Sequence, residues 1–243
     1  MIKTEARKSE GAKMQFLIKR KAATTREQLV AHWFANHMPR VMERNDRQEA
    51  AQEPFFRHYL VSLFDAHDGD EHAWDGVAQL WFDAPTPRPA TASGVVPTDS
   101  FHEKVEPYWP WATQEWIAVE GSLPVEPLTL DAPYPCSRSG FLKQTSLVAA
   151  RPGVDLDDMF AHWLGAHVTN VMQCLEQVGG LRYVVSLSTD LEHAPYAGMA
   201  ELYFPDAAAR TAFWDIIQPD GFQDFVDAGK TRRFTGATEF IGR

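Results

Sequence analysis

Cysteine is scarce in these 243 residues: Cys136 and Cys174 are the only two and lie far apart, so there is no disulfide framework and no four-cysteine zinc site. That usage fits a reducing compartment. No stretch approaches the roughly 18 to 20 consecutive apolar residues that span a bilayer, and Met1 to Lys13 lacks the apolar core of a signal peptide. Basic residues are a minority, 23 Lys and Arg against 33 Asp and Glu, for a net charge of −10. A surface of that sign repels phosphate backbones and anionic headgroups, which argues against nucleic acid and membranes as partners and for a cytoplasmic protein. A Gly-rich phosphate loop, a Gly-x-Ser-x-Gly elbow and a Rossmann fingerprint are also missing, which weighs against nucleotide cofactors and serine hydrolysis. No His, Cys and Asp cluster has metal-ligand spacing, so neither a metal nor a cofactor is expected.

What the chain does have is 44% hydrophobic residues, enough for a packed core, and an internal repeat. Leu17 to Glu43 aligns without a gap on Leu147 to Gln173, with identities at Ala31/Ala161, His32/His162, Trp33/Trp163, His37/His167, Val41/Val171 and Met42/Met172. Further on, Tyr59 to Leu63 matches Tyr183 to Leu187, and Trp74 to Phe82 matches Tyr196 to Phe204. The domain organisation read from this is a polar arm (1–13), a first copy (14–121), a linker carrying Pro124, Pro127, Pro133 and Pro135 (122–140), and a second copy (141–243).

Each copy reads as strand, helix, strand, strand, a variable stretch and a last strand. Leu29, Val30, Trp33, Phe34, His37, Met38 and Val41 recur at helical spacing, and Met159, Phe160, Trp163, Leu164, His167, Val168 and Val171 repeat that stripe. Arg57 to Leu63, Val77 to Phe82, Leu181 to Leu187 and Met199 to Phe204 are β-branched or aromatic runs bounded by Gly, Pro and Asp, as strands require. The copies diverge after the third strand. Residues 207–217 have a helical pattern, whereas 84–96 contains Pro85, Pro87 and Pro89 and reads as a loop.

Two motifs, His-Trp-x-x-x-His and Gly-Val-Ala-Gln-Leu-Trp-Phe, following one another in this element order, resemble the EthD-like proteins of the dimeric α+β barrel superfamily. The resemblance covers residues 14–121 and 141–242. It implies an α+β fold in which two ferredoxin-like halves form an intramolecular barrel, antiparallel sheets facing across a cavity and helices outside. A monomeric pseudo-dimer or a homodimer would follow. It also implies cofactor-free chemistry on small aromatic or polyketide-like metabolites, among lactone isomerases, decarboxylases, lyases and anthrone-type oxygenases.

The candidate site is built on matched residues. His37 and His167 lie on the apolar stripe, where each is either a buried anchor or a proton-transfer group, since imidazole titrates near neutrality. His32 and His162, about 140° further round a helix of roughly 3.6 residues per turn, suit solvent or capping. Tyr59 and Tyr183 occupy the same strand position and offer a phenol to a substrate oxygen or simply pack. Glu201, opposite Gln79 in the repeat, is an acid–base candidate in a dry pocket or an exposed strand residue. His58, Trp81, Phe101, Tyr108, Trp109 and Trp111 are the candidate substrate contacts, flat apolar walls suited to an aromatic ring. Alternation sets His58 and Tyr59 on opposite faces of their strand. The leading expectation is a cofactor-independent lyase or isomerase moving protons on a small aromatic or enol-capable substrate. The alternatives are a cofactor-free oxygenase and a non-catalytic binding barrel.

Overall fold

The computed structural model describes residues 6–66, 73–95, 99–123 and 135–243. Pro124, Pro127 and Pro133 of the expected linker and Met1 to Glu5 of the arm lie outside them. The chain forms β1 (Arg7–Lys8), β2 (Ala12–Ile18), α1 (Arg26–His32), α2 (Met38–Ala50), β3 (Phe56–Leu63), β4 (Gly76–Phe82), β5 (Trp111–Glu120), β6 (Cys136–Val148), α3 (Leu156–His162), α4 (Val168–Gln177), β7 (Arg182–Ser188), β8 (Gly198–Phe204), α5 (Ala207–Ile216) and β9 (Arg232–Ile241). The α+β class and antiparallel pairing expected from the repeat are present. As expected, α5 has no helical counterpart among the described residues of 83–95.

These elements make two compact units. The first holds the described residues of 11–112 together with 135–139 and 237–243; its strands run β2, β4, β3 and then the end of β9, where Leu60 faces Ile241 and Leu63 faces Thr238. The second holds residues 6–10, 113–123 and 140–236, with the start of β9, then β6, β8, β7, β5 and β1 in order; Thr113 faces Ser188 and Glu120 faces Arg182. Each unit is thus one copy's strand–helix–strand–strand body with part of the other copy's last strand added to its sheet.

Local chemistry explains the helix starts. Thr25 accepts from the Gln28 N–H while Gln28 reaches back to the Thr25 N–H, a reciprocal capping box, and Asp155 accepts from Asp157 and Asp158 at the same place in the second copy. The sequence pattern predicts one continuous helix in each copy. Instead a π-helical turn, Trp33–His37 or Trp163–His167, interrupts it, and the Met38 N–H bonds to the Trp33 carbonyl five residues back. A periodicity argument misses this, because one widened turn hardly disturbs an apolar stripe.

The helices lie on one face of their own sheet through the two tryptophans, both fully buried. Glycine makes room for them. A Cβ on Gly198 would come within 2.7 Å of the Ser186 carbonyl oxygen and 3.0 Å of the Trp163 ring, and one on Gly76 within 2.6 Å of the Ser62 oxygen. The Gly-x-Ala start of the third strand is therefore a packing requirement of the helix above it.

Candidate functional site

In the first unit a cavity of about 390 Å³ opens between the helix and the sheet, lined among others by Phe16, Trp33, His37, Tyr59, Leu80, Asp99 and Phe101. The second unit has the corresponding cavity, about 450 Å³, lined by Ser146, Trp163, His167, Tyr183, Leu202, Asp220 and Phe222 among others. Strand alternation selects these residues: Tyr59 pairs with Leu80 and Tyr183 with Leu202, so each couple points towards the helix.

His37 and His167 are the last residues of the two π-turns, and each meets a carboxylate. His37 Nδ1 lies 2.9 Å from Asp99 Oδ2, and His167 Nδ1 lies 2.8 Å from Asp220 Oδ2. The carboxylates are fixed in turn: Asp99 Oδ1 accepts from the Phe101 N–H at 2.9 Å and Asp220 Oδ1 from the Phe222 N–H at 3.0 Å. The two phenyl rings come back over the imidazoles, with centroids 3.9 Å apart for Phe101 on His37 and 4.2 Å for Phe222 on His167.

The electrostatics follow from burial and these bonds. Burial holds both imidazoles below their ordinary pKa, and the hydrogen bond to aspartate only partly opposes it. For Asp99, burial pushes upward but the hydrogen bond and charge of His37 outweigh it. Burial likewise raises Asp220, and Asn170, the Phe222 N–H and His167 together outweigh it; both carboxyls end below the usual range. Near neutral pH this gives a neutral imidazole donating Nδ1–H to an ionised carboxylate, with Nε2 free to take a proton.

The phenols complete the wall. Trp33 Nε1 donates to Tyr59 Oη at 3.3 Å, while the matching Trp163 Nε1 and Tyr183 Oη are buried with no partner at hydrogen-bond distance among the described residues. Burial raises the pKa of both tyrosines, so each stays a neutral donor. The first cavity adds Tyr108, whose hydroxyl, pushed by burial up to about 12, lies 3.4 Å from His102 Nε2. The second adds Phe213, Trp214 and Ile217 from α5 and its end. Asn170 Nδ2 donates to Asp220 Oδ2 at 2.9 Å, a bond for which the first unit shows no equivalent among its described residues.

Of the residues singled out from sequence, His37, Tyr59, Phe101 and Tyr108 line the first cavity and His167 and Tyr183 the second. The others point elsewhere. Glu201 faces Thr145 across the strands on the sheet surface turned away from the helix and pairs with Lys143 Nζ at 2.6 Å, both side chains buried, which makes it an ion-pair partner outside the cavity. His58 is exposed against Trp81 on that opposite surface, and Lys13 Nζ sits 4.9 Å over the Trp81 ring. Trp109 is 38% exposed with the Arg88 guanidinium 4.2 Å above it, and Trp111 is buried without lining the cavity. His32 is neither capping nor free: its Nε2 lies 3.1 Å from Ser100 Oγ, between the helix and the loop that carries Asp99.

The residues that sequence reasoning missed are Asp99 and Asp220. A signal existed: Asp99-x-Phe101-x-x-x-Val105 and Asp220-x-Phe222-x-x-x-Val226 are a fourth repeated string, weak because only three positions agree. Among the described residues no group of three or more His, Cys, Asp or Glu is placed to hold a metal ion, and no helix is long and apolar enough to cross a membrane.

No family model matches the sequence, and no curated protein does. Solved structures match across nearly the whole chain. An anthrone oxidase-like protein is 13% identical, covering 96% of this chain and 94% of its own, with a TM-score of 0.50. The fold is shared. A chlorite dismutase variant from Candidatus Nitrospira defluvii (10% identical, 97% and 92% covered, TM-score 0.45) and a haem-binding protein from Thermus thermophilus (11%, 99% and 93%, 0.45) are also similar. At such identities the likeness concerns architecture and leaves the chemistry to the site.

Proposed function

We propose that the chain is an enzyme that moves protons on a small aromatic or enol-capable metabolite, as a cofactor-independent lyase or isomerase. One observation carries this reading: each copy places a histidine, held at Nδ1 by an aspartate, on the wall of a cavity lined by aromatic rings. Histidine Nε2 takes the proton, and the aspartate fixes the tautomer and stabilises the imidazolium that forms. Tyr59 or Tyr183, kept neutral by burial, donates to the oxygen on which negative charge develops. Cavities of this size suit a ligand of one or two rings.

The test is hydrogen exchange in deuterium oxide. A panel of aryl ketones, lactones and 2-oxo acids is followed by proton NMR with the wild type, His37→Gln, His167→Gln and the double variant. Loss of exchange by about a hundredfold or more in the double variant is expected. Unchanged exchange by a folded double variant would remove the histidines from the chemistry. Running the assay without oxygen separates proton transfer from the oxygenase alternative.

A second reading rests on the same geometry. An imidazole whose Nδ1 is held by a carboxylate would also suit a haem iron, and in the second cavity His167 would be the residue to hold it. The haem would supply redox chemistry; the protein would hold it through His167 Nε2, with Asp220 setting that ligand's basicity. Titration with haemin decides: a Soret band that depends on His167 supports this reading, and a spectrum equal to free haemin rejects it.

A further inference from the structure

Arginines line both cavities, but only the first has three of them on one face of a helix, α2. Arg40, Arg44 and Arg47 stand at i, i+4 and i+7, one face of the helix, and all three line the first cavity. They are exposed, and among the described residues none of their side chains is hydrogen-bonded or ion-paired. Elsewhere arginines are engaged: Arg7 with Glu120, Arg57 with Asp83, Arg138 with Glu239 and Arg243 with Glu49. On α2 itself, Asp46 and Glu49 are turned to Arg243, 3.5 and 2.6 Å away. Glu43, at i+3 from Arg40 and i−4 from Arg47, is within ion-pair distance of neither among the contacts described.

Like charges one helical turn apart repel, and a chain with ten more acids than bases has carboxylates to spare for neutralising them. Leaving three arginines unneutralised at the mouth of a cavity is therefore a cost that an anion would relieve. The second copy lacks the helix face: Asn170, Cys174 and Gln177 stand at the matching positions, Asn170 is turned onto Asp220, and none of the three lines the second cavity, whose arginines are engaged instead, Arg151 with the Val226 carbonyl and Arg233 over the Trp214 ring.

We propose that the cavity of the first unit takes a ligand bearing an anionic group, a carboxylate or a phosphate, which Arg40, Arg44 and Arg47 hold at the mouth while the ring reaches His37. This rests on the reading of that cavity as the ligand site, and it makes the two copies sites of different specificity. Guanidinium groups suit either anion because their N–H groups present a planar fork to paired oxygens.

The test uses the full chain and three probes with one ring system: 1-naphthoate, 1-naphthyl phosphate and neutral 1-naphthamide. The NMR signal of the His37 ring reports the first cavity, and that of His167 is the internal control. At least one anionic probe is expected to perturb His37 about tenfold more tightly than the amide, and which one it is distinguishes carboxylate from phosphate. Arg44→Gln/Arg47→Gln should remove that advantage, leaving the amide and the His167 responses as they were, and added salt should weaken the anion in the wild type. Equal affinity for charged and neutral probes, or an anion preference that survives the double substitution, overturns the proposal. If no probe moves His37 at all, the cavity is not a ligand site, and both this proposal and the catalytic reading of that unit fall. Arginine-dependent binding without any exchange activity would sink the catalytic reading alone.

Discussion

Asp99 and Asp220 decide what the two histidines are. Without the carboxylate, a half-sealed imidazole stacked on phenylalanine is simply a buried aromatic; with it, the tautomer is set and Nε2 becomes the basic atom. Because burial lowers both imidazole pKa values, His37 and His167 should titrate below about 6.5 when followed by NMR of their ring protons. Asp99→Asn removes an interaction that favours the charged ring, so it should move His37 further down and leave His167 in place. A rise in His37 would show that the aspartate is not its partner. The stability consequence has a definite sign: the unfolded chain takes up protons at these histidines before the folded one does. Stability is then complete above about pH 6.5 and falls as pH drops towards the folded pKa values. Denaturant unfolding at about pH 7.5 and about pH 5 should show that loss, and His37→Gln/His167→Gln should shrink it. His37 and His167 were readable from the chain because they recur on an apolar stripe. The aspartates were not, since they sit 62 and 53 residues away among 33 acidic side chains and meet the histidines only through folding.

At the scale of elements, the pattern of strands and helices was readable because apolar periodicity and Gly, Pro and Asp boundaries are local properties. Two features were not. Which face of β8 carries Glu201 depends on pairing register, and the register sends Glu201 to Lys143 and its neighbours Ala200 and Leu202 to the cavity. The π-turns escape because a widened turn adds one residue without breaking the stripe, yet they end on the two site histidines in both copies. Deleting Asn36, an exposed residue of the first turn, should let the helix run on as a regular α-helix. Everything beyond the deletion then rotates by about 100°, so either Trp33 or Met38 leaves the core. The expected cost resembles that of truncating one large core side chain, about 3 to 5 kcal/mol by chemical denaturation, with helical circular dichroism retained. The His37 titration should return towards the ordinary imidazole range. A deletion variant with full stability and an unshifted His37 would mean that the widened turn does not position the site.

For the whole molecule, the repeat announced two related halves, but it could not show which sheet each final strand joins. Their place at the end of each copy marks Thr113 to Glu120 and Phe234 to Ile241 as equivalent strands and is silent on which strands each lies beside. Each final strand reaches the other copy without leaving its own: β5 lies along β7, and β9 lies along β3 at its end and is also a neighbour of β6. Residues 6–123 alone would therefore leave the β3 edge without β9, and their own β5 without β7. An uncovered β3 edge in the same fragment as a β5 that has lost its β7 partner is the condition for domain swapping. Expressed by themselves, residues 6–123 should form a homodimer in which each chain's β5 takes the place that β9 fills in the intact protein. Size-exclusion chromatography with light scattering would give twice the fragment mass, and adding residues 135–243 should convert the homodimer into a one-to-one complex. A stable, folded monomer of the fragment would show that the first copy's sheet needs neither β9 nor β7 to hold together.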